Sequence, residues 1–239
     1  MQQIYTIPVH EALEKGAADP KCGCPMCRLF CKLENDELDL ILGASMMEPD
    51  TRIQTNKKGF CRTHYDMMFV RKNRLGMALT LESHLDELAA DIKAGALDKL
   101  LGKPDAKAQK RITGLEHSCY VCDRIDFHFQ HMAETVVLLF EADDEFGTFE
   151  KELRAQPFFC LPHYRLLLEK GAARLPKKKM AAFTSALSDV VEAYMTTLRE
   201  DVSWFCKKFD YRYENEPWGN AKDSVERAIT FLRCDLHKN

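Results

Sequence analysis

The chain has 239 residues, of which 46% are hydrophobic and 30% are charged, so it has ample material for a core and is not a disordered protein. Its 34 Lys and Arg residues against 37 Asp and Glu residues give a formal charge of -3, which removes the broad argument for binding nucleic acid or an anionic membrane. The longest apolar run, 136–140, is too short to cross a bilayer, and the first residues lack the apolar stretch of a signal peptide. These features predict a cytoplasmic protein with no membrane partner.

Apolar residues recur with helical spacing through most of the chain, and no sustained alternation demands a sheet. We therefore predict an all-α fold. The predicted helices are, in chain order, 28–44, 80–101, 123–143, 178–209 and 223–233. Asp223 and Glu226 are a candidate capping pair for the last of them. The segment 102–118 contains Gly, Pro and charged residues without an apolar period, which is typical of a linker.

A pair of cysteine motifs occurs twice along the chain. In the first half, Cys24 and Cys27 form a CxxC motif, and the cysteine of the later sequence FCRTHY lies 34 residues after Cys27. In the second half, the cysteine of the sequence FCLPHY lies 38 residues after the last cysteine of the sequence CYVC. The offset between the halves is 95 residues at CxxC and 99 at CxxH, and apolar positions run in parallel. An internal duplication is the simplest explanation.

The duplication predicts five segments. They are an N-terminal segment at 1–19, a first metal-binding helical repeat at 20–101, a linker at 102–118, a second repeat with the long helix at 119–210, and a C-terminal extension packed on the repeats at 211–239.

The motifs have the residue types and spacing of zinc ligands. Two thiolates separated by two residues can face one ion, and a CxxH pair from a distant turn completes a tetrahedron of three sulfurs and one imidazole nitrogen. Four protein ligands leave no open position, so we expect two structural zinc sites, one in each half. The predicted ligands are Cys24, Cys27, Cys61 and His64 in the first half and Cys119, Cys122, Cys160 and His163 in the second.

The remaining cysteines leave alternatives open. Cys22 precedes the first CxxC at the position where the second half has His117, and either residue can substitute as a ligand. Cys31 lies one helical turn beyond the first CxxC and can replace a ligand of the first site. Cys206 and Cys234 have no partner at metal spacing, and we expect both to be core thiols.

The motifs, together with the segment WFCKKFDYRYENEPWGNAKDSVERAITFL, resemble a family of unknown function whose members are proteins of largely anaerobic, Gram-positive bacteria. The resemblance spans most of the chain and implies a cytoplasmic protein whose recurrent residues are the eight predicted ligands. It also implies that the C-terminal stretch belongs to the same unit. Residues of that stretch singled out by the resemblance are Trp204, Tyr211, Arg212, Trp218 and Arg227.

These observations favour a noncatalytic helical scaffold or adaptor that binds a protein partner, because the ligand sets are closed and no nucleophile–base pair stands out. The alternative is a redox protein in which the same clusters hold iron–sulfur clusters, or in which Cys22 and Cys31 exchange disulfides. A zinc enzyme ranks lowest, since the sequence offers more ligands than a catalytic site needs.

Overall fold

The computed structural model describes residues 3–93, 106–143 and 147–237. The described residues form helices and connecting turns without a strand, so the predicted all-α fold is confirmed. The α-helices in these residues are α1 (Gln3–Ala18), α2 (Pro25–Leu42), α3 (Pro49–Lys58), α4 (Arg62–Val70), α5 (Arg74–Asp91), α6 (Ala106–Glu116), α7 (Tyr120–Ala142), α8 (Thr148–Arg154), α9 (Leu161–Arg174), α10 (Lys177–Lys207) and α11 (Ser224–Arg233).

The predicted helices match α2, α5, α7, α10 and α11 to within a few residues at most ends. The helix predicted over 80–101 begins earlier, at Arg74, and the end of the predicted range lies outside the described residues. The segment 102–118, predicted to be a linker, contains the helix α6, and its role as a linker between repeats stays a prediction. Asp223 precedes α11 but makes no capping hydrogen bond, since its carboxylate accepts from Arg227 instead.

The chain forms two compact units. We call residues 1–31 with 129–238 unit 1 and residues 32–128 unit 2. One boundary falls inside α2 and the other inside α7. The predicted segments 20–101 and 119–210 follow the order of the motifs and stay a prediction about duplication, whereas the compact units divide the chain at other places.

Unit 1 is built around the long helix α10, which contacts α8, α9 and α11. Its apolar face buries Phe183, Leu187 and Val191 at helical spacing. Gly171 of α9 permits a close approach there, since a Cβ at this position would lie 2.9 Å from the Phe183 ring. Phe158 precedes the second CxxH motif and stacks on Tyr194 of α10 with ring centroids 4.2 Å apart. Packing on α10 therefore fixes the turn that carries this motif.

Unit 2 contains α3, α4, α5 and α6, of which α5 contacts the other three. Its interior mixes apolar residues with hydrogen-bonded polar ones. His84 Nδ1 lies 2.9 Å from the Asn56 carbonyl, to which Arg111 of α6 donates over 2.8 Å. Arg111 also pairs with Asp91 at 3.0 Å. These buried polar contacts hold α3, α5 and α6 together, because the buried groups must find partners inside the protein.

Two candidate metal centres

Unit 1 contains a cluster of four buried side chains, which we call cluster A: Cys24, Cys27, Cys160 and His163. Three Sγ atoms face the Nδ1 atom of His163, at 3.6 Å from Cys24, 3.4 Å from Cys27 and 3.1 Å from Cys160. The Sγ atoms of Cys27 and Cys160 are 3.7 Å apart. All four donor atoms lie within 4.8 Å of one another, a spacing compatible with one shared metal ion.

Unit 2 contains a second cluster with the same donors, which we call cluster B: Cys61, His64, Cys119 and Cys122. The Nδ1 atom of His64 lies 3.1 Å from Cys61 Sγ, 3.2 Å from Cys119 Sγ and 3.4 Å from Cys122 Sγ. The sulfurs of Cys61 and Cys122 are 3.8 Å apart. His64 and Cys119 are buried, whereas Cys122 is exposed, so cluster B is open to solvent on one side.

The eight predicted residues come together, but not in the predicted pairs. Each cluster combines the CxxC motif of one half with the CxxH motif of the other, so the expectation of one site within each half is wrong. The physical reason lies in contacts between segments of opposite halves. At the second CxxC motif, the Tyr120 amide donates to the Gly59 carbonyl just before the first CxxH motif. Shortly before the second CxxH motif, Gln156 donates to the Leu13 carbonyl of α1, the helix to which Arg28 also ties the first CxxC motif.

The alternative ligands Cys22, Cys31 and His117 belong to neither cluster among the described residues. The Cys22 thiol donates to the Asp19 carboxylate over 3.3 Å, and the Cys31 thiol donates to the Asp235 carbonyl over 3.5 Å. Both cysteines line a surface cavity of about 150 Å³ that also touches two sulfur ligands of cluster A.

The clusters are built at the amino ends of four helices. Cys61 and Cys160 are the N-cap residues of α4 and α9, and each places its histidine in the first turn. Cys24 and Cys119 lie directly before or at the start of α2 and α7, and their carbonyls accept the first helical hydrogen bonds. The positive end of a helix dipole favours a thiolate. Two such helix ends therefore stabilise the negative charge of each cluster.

Arg28 holds the loop that carries the first CxxC motif in cluster A. Its guanidinium donates to the carbonyls of Cys22 at 3.0 Å and Gly23 at 2.7 Å, and it reaches the Ala12 carbonyl in α1. Gly23 has a φ of 75°, which a residue with a side chain rarely adopts. Arg28 and this glycine turn together aim Cys24 and Cys27 at the interior of unit 1.

Backbone contacts join the two motifs of cluster B. The Tyr120 amide donates to the Gly59 carbonyl over 2.9 Å, and the Ser118 hydroxyl donates to the Lys58 carbonyl over 2.6 Å. Lys58 also pairs with Asp123 at 2.6 Å. These contacts fix the start of α7 beside the turn before α4, and they hold the sulfurs at ligand distances.

A buried carboxylate supports the histidine of cluster B. Because His64 Nδ1 faces the sulfurs, its Nε2 donates to Glu34 Oε1, at 2.9 Å, and the Glu34 side chain is 0% exposed. Burial disfavours the charged imidazole, but hydrogen bonds to Cys119 and Glu34 outweigh it and raise the pKa of His64 to about 10. A carboxylate on the far nitrogen orients a ligating histidine and makes it more basic.

Glu34 was not among the predicted site residues, although the sequence carries a signal for it. Positions 30, 34, 38 and 41 recur as on one helical face, and the other three are Phe30, Leu38 and Ile41. A carboxylate in the middle of an apolar face must find a buried partner. That partner is the imidazole of His64.

The histidine of cluster A has an aromatic neighbour instead. Phe129 occupies the position of Glu34 when the halves are offset by 95 residues, and its ring centroid lies 5.2 Å from that of His163. Burial opposes protonation of His163, but hydrogen bonds that its imidazole donates to the sulfurs of Cys24 and Cys27 raise its pKa to about 9. The two clusters therefore have the same donor types and differ in the residue that contacts the histidine, which is Glu34 in cluster B and Phe129 in cluster A.

A fifth cysteine lies beside cluster A. Cys160 Sγ donates to Cys234 Sγ over 3.5 Å, and this hydrogen bond lowers the pKa of the Cys234 thiol to about 4. Cys234 follows α11 with a φ of 71° and a ψ of 175°, which costs a residue other than glycine about 1–3 kcal/mol. The expectation of two core thiols is wrong, because Cys234 is only half-buried and Cys206 is exposed.

The fold and the two clusters define a helical protein with two Cys/His sites compatible with metal binding. The sequence profile of DUF6062, a family of unknown function, matches residues 1–239, and the chain belongs to that family. No curated protein and no solved structure matches the chain. None of the helices in the described ranges has the length and apolar character needed to span a membrane.

Proposed function

We propose that the protein is a noncatalytic helical scaffold, or adaptor, whose two clusters each bind one structural zinc ion. The observation that carries the proposal is the distance between thiolates. Around a tetrahedral ion with bonds of about 2.3 Å, two sulfurs lie about 3.8 Å apart. The measured separations are 3.7 Å from Cys27 to Cys160 and 3.8 Å from Cys61 to Cys122.

The sulfur–nitrogen distances support the same assignment. A zinc–nitrogen bond of about 2.0 Å places an imidazole nitrogen about 3.5 Å from a sulfur on the same ion. The six measured distances from Nδ1 to Sγ run from 3.1 Å to 3.6 Å. We therefore assign the four side chains of each cluster as the ligands of one ion.

The same distances favour a single ion over an iron–sulfur cluster. In a four-iron cluster each cysteine binds a different iron, so the cysteine sulfurs stand farther apart than around one ion. The sulfurs here are close enough to share one tetrahedral ion. Three thiolates and one imidazole in that geometry suit zinc.

Four protein donors complete each tetrahedron and leave no position for water or substrate, which supports a structural role. Each ion ties together motifs that are far apart along the chain, so binding stabilises the folded state. Because both metal sites are closed, we infer that the function resides in the protein surface that they stabilise. We propose that this surface binds a protein partner.

The proposal is tested by elemental analysis and absorption spectroscopy of protein purified without oxygen. We expect about two zinc ions per chain and no visible absorption band. Removing the ions with a chelator should lower the helical content and the melting temperature, measured by circular dichroism. Iron with sulfide and a broad visible band would favour the redox alternative, and a chelated protein with unchanged helicity and melting temperature would contradict a structural role.

A further inference from the structure

The thiol of Cys234 lies at ligand distance from cluster A without belonging to its four donors. Its Sγ is 3.5 Å from that of Cys160, which is no longer than the 3.7 Å between the two cluster sulfurs Cys27 and Cys160. Unit 1 therefore places a fourth sulfur directly beside one donor of cluster A.

Cluster B has no such surplus within its own unit. The cysteines in the sequence range 32–128 are Cys61, Cys119 and Cys122, and all three are donors of cluster B. The difference between the clusters is therefore one additional thiol in unit 1.

Among the described residues, no carboxylate supports the histidine of cluster A as Glu34 supports that of cluster B. The Glu34 carboxylate accepts a hydrogen bond from His64 and increases its basicity, whereas His163 packs against the phenyl ring of Phe129. A phenyl ring cannot accept a hydrogen bond as a carboxylate does. Of the four donors in cluster A, His163 is thus the one most readily replaced by a thiolate.

We propose that Cys234 is a reserve ligand of cluster A, which can take the place of His163 and convert a site of three sulfurs and one nitrogen into one of four sulfurs. In this exchange a bond from the ion to the Cys234 thiolate forms as the bond to the His163 nitrogen breaks, and the imidazole leaves as a neutral group. The ion keeps four ligands, and no oxidant or reductant is consumed. The inference rests on the proposed metal-binding function.

The surroundings leave space for this exchange. The cavity of about 150 Å³ beside cluster A is lined by Cys24 and Cys27 and also by Thr230 and Asp235, which are close in sequence to Cys234. Cys234 itself is half-buried, so its side chain is not enclosed by a packed core.

Cobalt titration of the full chain tests the proposal, because the charge-transfer absorption of bound Co²⁺ reports the number of thiolate ligands. The wild type should bind about two ions. His163→Leu, in which leucine keeps a contact for Phe129, should still bind about two, and the absorption from cluster A should rise by roughly a third as three thiolates become four. His64→Gln, whose amide keeps a donor for Glu34, should bind about one.

Double variants separate Cys234 from its neighbours. His163→Leu with Cys234→Ser should bind about one ion, whereas His163→Leu with Cys31→Ser should bind about two, since Cys31 lines the same cavity but lies outside the cluster. Loss of the cluster A ion in His163→Leu alone would overturn the proposal, as would its retention in the Cys234→Ser double variant. A wild type that binds no cobalt would overturn the metal-binding function itself, and the reserve ligand with it.

A second measurement leaves every assigned ligand in place. In the ¹¹³Cd spectrum of the cadmium-loaded chain, each cluster gives a signal whose shift depends on its donors. Cys234→Ser should move the signal of cluster A and leave that of cluster B unchanged. Two unchanged signals would show that Cys234 never enters the ligand set.

Discussion

Clusters A and B present the same four donors in the same geometry, but their surroundings differ. In cluster A all four donors are buried, the histidine faces Phe129, and a spare thiol stands beside the sulfurs. In cluster B one sulfur is exposed and the histidine is held by the buried Glu34 carboxylate. The ligand set alone therefore does not define a metal site. The residues that contact the donor side chains determine how firmly each donor is held in place.

The largest expected effect concerns the pairing of motifs. In a Cys234→Ser background, Cys27→Ser combined with Cys160→Ser should remove one ion and leave cluster B loaded. Cys27→Ser combined with Cys61→Ser should remove both ions, because these two cysteines serve different clusters. Each lost ion removes binding free energy that amounts to about 10 kcal/mol in zinc-finger peptides. Elemental analysis of the purified variants measures the ion count.

Pairing within each half would give the reverse result. The Cys27/Cys61 variant would then keep one ion and the Cys27/Cys160 variant would keep none. The Cys234→Ser chain with all eight ligands intact is the control, and it should hold about two ions.

Changing the support of His64 should have a smaller effect. Glu34→Gln keeps the size of the side chain but removes its charge, so the metal affinity of cluster B should fall about 10- to 100-fold, which is about 1.4–2.7 kcal/mol. Competition with a chromophoric chelator measures the affinity. Cluster A in the same chain is the internal control, and an equal loss at both clusters would contradict the assignment of Glu34 to cluster B.

The pH dependence of the metal-free protein gives a second readout for Glu34. The pKa of His64 is raised to about 10 from a usual value of 6.5, so the stability that its proton contributes is fully present below pH about 6.5 and is lost as the pH rises through about 10. Glu34→Gln should lower this pKa and move the loss to lower pH, which NMR titration of the imidazole detects. Metal affinity rises over the same range, because the ion must displace the proton.

The fold class and the residues of the two Cys/His clusters were accessible from sequence for clear physical reasons. Apolar residues at helical spacing predict the helices, and paired thiolates at CxxC spacing predict metal ligands. The helix inside 102–118 was missed because Gly and Pro outweighed its weak apolar pattern, and its position depends on Arg111 hydrogen bonding to α3. Such long-range polar contacts are invisible to local periodicity.

The pairing of the motifs and the roles of the surrounding residues could not be predicted in the same way. Spacing along the chain predicts that CxxC and CxxH belong to sites, but hydrogen bonds between distant segments accompany the pairs that meet. Glu34 was visible as a charge on an apolar face, whereas nothing local to Cys234 places it beside Cys160, 74 residues away. The residues that distinguish the two clusters are thus the ones least evident from the motifs.

The smallest expected effect separates the thiol of Cys234 from its backbone. At a φ of 71° a glycine avoids the strain of about 1–3 kcal/mol, but it loses about 0.5–1 kcal/mol to the greater freedom of the unfolded chain. Cys234→Gly should therefore be more stable than Cys234→Ser by about 1 kcal/mol in urea denaturation of the metal-loaded protein. Both variants lack the thiol, so this difference reports the backbone alone. Equal stability of the serine and glycine variants would show that the turn after α11 relaxes without a cost in free energy. In that case backbone strain would not determine the position of the Cys234 thiol.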